Sequence, residues 1–203
     1  QEKLFQETGL PIALCAVLIS LPSNAQQWQQ LGQDIDGEDL ADYSGRDISM
    51  SGDGRILAIG ARQNNILFPA PGIPIHAGHV RLFEWDGTSW NQIGQDIDGG
   101  AEQEKFGEAV SLSSDGMRIA VGAPGWVPQG LQYTLMYGRV QVFEWNGVSW
   151  TQIGQNIEGV QHAMLGNVVS LSSDGSRLAI GAWLNGGPGN GNSGHVRIYK
   201  NIN

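Results

Sequence analysis

Clustered carboxylates and scattered histidines are the residues of this chain with the most chemistry to offer. Asp34, Asp36, Glu38, Asp39 and Asp42 fall close together, and Asp96, Asp98, Glu102 and Glu104 form a second group. Carboxylate oxygens at short spacing suit a hard cation such as calcium, which takes about six to eight oxygen ligands. The run from Asp34 to Asp39 lacks the ligand spacing of an EF-hand loop, and a third occurrence weakens to Asn156-Ile157-Glu158. Asp34, Asp36, Asp39, Asp96 and Asp98 are therefore weak candidate metal ligands, a solvated acidic loop is the plainer reading, and no cofactor is expected. Among the histidines, His79 and His195 stand at equivalent positions after a glycine, where a third copy of the same pattern has Arg139. That pattern predicts exposed strand residues. No GxSxG, HExxH or phosphate-loop motif occurs, so no catalytic residue is assigned and the chain is read as a non-enzyme.

The elements that hold these residues are repeated. A unit of about 60 residues occurs three times, over about 44–98, 106–158 and 165–203. Asp53, Asp115 and Asp174 share one SxDG turn, and Trp28, Trp90 and Trp150 open one WxQxGQ(D/N)I(D/E)G segment. In the middle copy, alternating apolar residues predict four strands: Ala109 to Ser113, Arg118 to Ala123, Arg139 to Trp145 and Trp150 to Ile153. Ile56–Ala61 and Arg177–Ala182 are the counterparts of the second strand. One carboxylate per SxDG turn predicts a turn-former bonded to nearby backbone. Trp85/Trp90 and Trp145/Trp150 flank the Asp86-Gly87 and Asn146-Gly147 turns, which predicts aromatic clasps across hairpins rather than a ligand cage.

An up-and-down strand order sends the SxDG and WDG or WNG turns to one edge, and the loops after strands two and four to the other. The turns barely vary. The loops after strand two, Arg62–Ala77, Gly125–Tyr137 and Trp183–Ser193, vary completely. Insertions gathered on one face of a repeat protein mark a binding surface. Phe68, Ile73, Trp126, Tyr133, Tyr137 and Trp183 are the candidate ligand-binding residues there, and packing within their own loops is the plainer alternative.

Composition bounds the function class. Thirty glycines and eight prolines in 203 residues suit short strands joined by tight turns. Twenty acidic against eleven basic residues give a formal charge of −9. Without clustered Lys and Arg, no nucleic-acid partner is expected. The single cysteine, Cys15, excludes an internal disulfide framework and a multi-cysteine zinc site. Leu10 to Leu21 is mostly apolar and precedes Pro22-Ser23-Asn24-Ala25. That is too short to span a bilayer but suits a signal-peptide core. Residues 1–25 therefore read as a signal peptide or apolar leader, which predicts a secreted or cell-surface protein. The repeat region, 26–203, carries no membrane span.

Phe106-Gly107, Val110 and Gly122-Ala123-Pro124 resemble the FG-GAP repeat of integrin α-like β-propellers. Ser44-Gly45 with Gly60-Ala61-Arg62, and Leu165-Gly166 with Gly181-Ala182-Trp183, match less fully. The resemblance covers roughly residues 28–200. It implies an all-β fold of propeller blades, each of four antiparallel strands, in an extracellular module for cell adhesion or for binding a protein or glycan. Calcium-binding members carry a loop resembling DxDxDGxxD between strands one and two. Here that loop keeps one carboxylate per copy, so the family's calcium site is not carried over. SxDGxxLA followed by GxVRxY is also similar to WD-repeat blades, and an intracellular interaction scaffold is the alternative. A fragment of a propeller hydrolase or lyase is a further one, although the SSDG turns do not match the sialidase Asp-box order.

Gln27 to Ile35 reads as a fourth strand without a unit of its own, and the third copy stops where its fourth strand is due. The expectation is that residues 27–35 close the last blade. Propellers typically have about four to eight blades. Three predict either a fragment of a longer product or a homodimer completing a six-bladed ring.

Overall fold

The computed structural model describes residues 27–63, 65–67, 74–184 and 193–202. Cys15, the signal-like segment, Phe68 and Ile73 lie outside these residues. Among the described residues the chain is all-β, with three antiparallel sheets of five, four and three strands, a further two-stranded ladder and no α-helix. Residues 31–203 form one compact unit. Residues 27–30, assigned to a separate unit, carry no regular secondary structure.

The first unit comprises β1 (Ser44–Met50), β2 (Ile56–Ala61), β3 (Asn65–Leu67), β4 (Pro74–His76), β5 (His79–Trp85), β6 (Trp90–Gln92) and β7 (Ile97–Asp98). Its sheet runs β1-β2-β5-β6, with β7 also on β5, while β3 and β4 pair with each other. The second holds β8 (Ala109–Leu112), β9 (Arg118–Ala123), β10 (Arg139–Trp145) and β11 (Trp150–Glu158), adjacent in chain order. The third holds β12 (Val168–Leu171), β13 (Arg177–Ala182) and β14 (His195–Lys200).

The second strand of each unit and the third strand of the middle unit fall where apolar alternation predicts them. Three details differ. The fourth strand of the second unit runs on to Glu158, and its ladder shifts register between Val140 and Val142. Gly154 has φ +70°, a left-handed conformation that helps admit two extra residues, since Gln141 alone faces Gly154 to Asn156, without ending the strand. At the same place in the first unit, Gly94 has φ +74° and the strand divides into β6 and β7. The loop from Arg62 to Ala77, expected to be irregular, contains the β3–β4 ladder, with Asn65 opposite His76 and Leu67 opposite Pro74. Lastly, residues 27–35 carry no strand, and the third sheet has three strands.

Two apolar clusters join the units. Ile56, Val80, Leu82, Phe106, Val110, Leu112, Ile119 and Phe143 fill the space between the first and second sheets. Ala109, Val140, Leu165, Val169, Leu178 and Ile180 do the same between the second and third. Each large side chain so buried contributes roughly 1.5–3 kcal/mol. Sheets meet backbone to backbone where the glycine pairs lie: a Cβ on Gly60 would overlap the carbonyl of Gly107, and one on Gly122 that of Gly166. Hydrogen bonds repeat across the junctions as well. The Gly52 N–H donates to the Ser114 carbonyl and the Ser114 N–H to the Ser173 carbonyl, both at 2.8 Å.

Candidate functional site

Residues at the turn edge satisfy one another. Asp53 Oδ1 accepts the Ser51 hydroxyl at 2.7 Å and the Arg55 N–H at 3.0 Å. Asp115 accepts the Ser113 hydroxyl at 2.6 Å and the Met117 N–H at 2.9 Å. Asp174 does the same with Ser172 at 2.6 Å and Ser176 at 3.0 Å. The serine hydroxyl first, then the backbone N–H, holds each carboxyl below its ordinary range. These aspartates are turn-formers.

The tryptophan pairs are clasps in the geometric sense. Trp85 lies opposite Trp90 and Trp145 opposite Trp150, with ring centroids 5.3 Å apart in both pairs. Each is roofed by the Leu-Gly or Ile-Gly step from the preceding fourth-strand segment. Trp90 Nε1 donates to the Leu31 carbonyl at 3.1 Å, and Trp150 Nε1 to the Ile93 carbonyl at 3.2 Å. Gly32 and Gly94 then lie against Trp85 and Trp145, where a Cβ would clash. These indoles are spent on packing.

Loops after strands two and four meet at the opposite edge. In the second unit the N–H groups of His162, Met164 and Leu165 donate to the carbonyls of Leu135, Met136 and Tyr137, at 2.7, 3.1 and 3.2 Å. A 3-10 turn, Tyr133–Leu135, projects from this seam. Tyr133 is exposed, and its hydroxyl donates to Glu102 at 2.9 Å, which raises its pKa. Trp183 is also exposed. Trp126 instead packs against the first apolar cluster, with the Arg139 guanidinium 5.5 Å from its ring centre. Tyr137 is half-buried. Among the described residues, no aromatic ring pair joins Trp126, Tyr133, Tyr137 or Trp183; they are separate features of one edge.

Beneath this edge lie two carboxylate clusters. Glu104 is fully buried; it accepts the N–H groups of Gly100 and Ala101 at 2.5 and 3.2 Å, and its Oε2 lies 2.7 Å from Arg139 Nη2. Burial pushes its pKa up, and Arg139 and the two N–H groups pull it back. In the first unit, the ligand atoms of Glu38, His79 and Asp96 all lie within 4.8 Å of one another. Here the expectation of an exposed His79 is corrected: it is only 1% exposed. Loops from two neighbouring segments close over the start of β5, so its two faces are both covered. Burial lowers the His79 pKa, although Asp96 and Glu38 pull the other way, and its Nε2 has no hydrogen-bond partner.

One imidazole and two carboxylates suit a divalent transition metal better than calcium. Positive charge is already at hand, however: Arg81 Nη1 lies 3.4 Å from Glu38 Oε1, and Arg81 Nη2 donates to the Asp36 carbonyl at 2.7 Å. Asp96 Oδ1 accepts from Gln92 at 2.6 Å. Of the sequence candidates, only Asp96 belongs to this cluster; Asp34, Asp36, Asp39 and Asp98 do not. Glu38, named in the acidic run, and His79, read as an exposed strand residue, were not among the candidate ligands. A signal existed in the repeat, because the His79 position holds Arg139 in the second unit, where it meets a buried carboxylate.

No protein-family model matches the chain, and comparison with curated proteins gives no match.

Proposed function

We propose that the chain is part of an extracellular β-propeller that binds a protein or glycan through the loops after its second and fourth strands, without chemistry of its own. Three sheets of one pattern, packed side by side in chain order, support a propeller architecture. The resemblance to FG-GAP repeats and the signal-like leader support an extracellular setting. One observation carries the binding surface. The turn edge repeats the same hydrogen bonds in every unit, whereas the opposite edge differs in every unit and exposes Tyr133 and Trp183. Exposed aromatics on a rigid scaffold are the usual anchors of recognition.

The test is binding of the full chain to protein and glycan arrays, repeated with Trp183→Ala, Tyr133→Ala and, at the turn edge, Val148→Ala. The expected result is a ligand weakened about tenfold or more by a loop substitution and untouched by Val148→Ala. Loss on Val148→Ala with both loop variants binding normally would move the site to the other edge and sink the proposal.

A further inference from the structure

Each junction between units uses the same two surfaces. The leading surface is the face that β8 and β12 turn toward the preceding unit; the trailing surface is the face that the first and second sheets turn toward the following one. Between the first and second units, the Asp47 carboxylate and the Ser49 hydroxyl accept the N–H groups of Val110 and Leu112 at 2.8 and 2.9 Å. Between the second and third, the Ser111 hydroxyl accepts the Leu171 N–H at 2.9 Å. At both, a glycine of the trailing surface backs onto a glycine of the leading one.

The array keeps one copy of each surface uncovered. On the leading side, Ile48 is 61% exposed, whereas Val110 at the same position in the second unit is 5% exposed. A Cβ on Gly45 would meet nothing within 4 Å. On the trailing side, Val196 is 69% exposed, against 0% for Val140 at its position. A Cβ on Gly181 would meet only Val168 of its own sheet, at ordinary contact distance. Exposed apolar faces of this kind mark interaction sites, and an open sheet edge such as β14 accepts a further strand.

A cavity of about 280 Å³ lies between the second and third sheets, against the end of β14, lined among others by Ile153, Gly154, Tyr199 and Asn201. The equivalent places beside Leu31-Gly32 and Ile93-Gly94 hold the two tryptophan clasps. Asn201 stands at the position of Trp145, and the carbonyl of Ile153 at the position of those that accept an indole N–H.

We propose that the trailing face of one molecule binds the leading face of a second copy of this chain. Gly45 of the second copy backs onto Gly181, and the Ser170 hydroxyl accepts its Met50 N–H. The partner is a second copy because the two free faces are already complementary: each reproduces one side of a junction this chain forms twice. Such a contact is heterologous, and it closes into a ring or runs on as an open chain. It is independent of any ligand at the loop edge.

Sedimentation velocity of the full chain over a range of concentrations tests the proposal. The expected result is reversible association into species of two or more copies. Gly181→Ala adds a Cβ that its own sheet tolerates but a docked copy does not, and it weakens association about tenfold or more. Two further variants separate the faces. Ile48→Asp spoils the leading face and Ile198→Asp the trailing face, both at exposed positions. Each alone stays monomeric, while an equimolar mixture retains one intact junction and forms a pair. Circular dichroism and a cooperative melt establish that each variant is folded. A full chain that is monomeric at every concentration, Gly181→Ala associating as tightly as the unchanged chain, or a folded mixture without pairs would each overturn the proposal.

Discussion

Strands β1 and β8 share a sequence pattern, a turn and a register with the following strand, yet differ in what covers them. Val110 and Leu112 on β8 are buried under the first sheet; Ile48 and Met50, at the same positions of β1, are exposed. Local sequence makes the strand in both places. Burial is supplied by the neighbouring unit, as expected of a repeat array whose stability is the sum of unit and junction terms. The comparison therefore separates residues whose worth is local from those whose worth depends on a neighbour.

The largest effect that sharpens this contrast is truncation at the Leu112 position. Leu112 is 7% exposed and Met50, its equivalent, 51%. Leu112→Ala removes buried methyl groups and leaves a cavity, so it is expected to cost about 3 kcal/mol. Met50→Ala is expected to fall within about 0.5 kcal/mol. Urea denaturation at concentrations where the chain is single measures both. Equal losses at the two positions would mean that junction burial does not set the difference.

Next in size are the glycines. Gly122 and Gly181 occupy one position of β9 and β13, but only Gly122 faces another unit's backbone, that of Gly166. A backbone atom cannot swing aside as a side chain can. Gly122→Ala is therefore expected to cost about 2 kcal/mol through overpacking. Gly181→Ala is expected to be neutral or to stabilise the single chain by up to about 1 kcal/mol, because alanine loses less backbone freedom on folding. Denaturation under the same dilute conditions reads the pair. Equal destabilisation would mean that the close approach of the two backbones is not what requires glycine.

How much of this was legible in the sequence follows the same division. The spans of β9, β10 and β13 could be read because they are short apolar runs bounded by turns, a property of the strand itself. Strand β11 was cut short at Ile153, because the bulge at Gly154 breaks the two-residue period without breaking the ladder. The β3–β4 ladder carries no alternation to find. At the loop edge, sequence reasoning put Trp126 and Trp183 in one class, but Trp126 is claimed by the first core cluster and by Arg139. His79 was misjudged for a related reason. Its burial is made by residues around Glu38 and Asp96, far away in the chain, and one strand's pattern does not reveal them. Turn chemistry was legible because an SxDG turn satisfies itself within a few residues.

That last property predicts the smallest difference of all. The carboxylates of Asp53, Asp115 and Asp174 each accept a serine hydroxyl and a backbone N–H from their own turn, and none depends on a neighbouring unit for these bonds. Each has a folded pKa below the ordinary carboxylate value. The stability they contribute is present above about pH 4, the unfolded value, and is lost as the pH falls through the folded pKa. Asp→Asn at any one of the three should flatten the acid limb of a stability-against-pH curve by a small amount, most at Asp174, which also accepts the Ser176 hydroxyl at 2.8 Å. The losses should be smaller than those at Leu112 and Gly122, because the carboxylates are exposed to water and salt. Denaturation midpoints measured from pH 6 downward test this. A distinctly larger effect at Asp115, in the unit flanked on both sides, would show that the turns too depend on their neighbours.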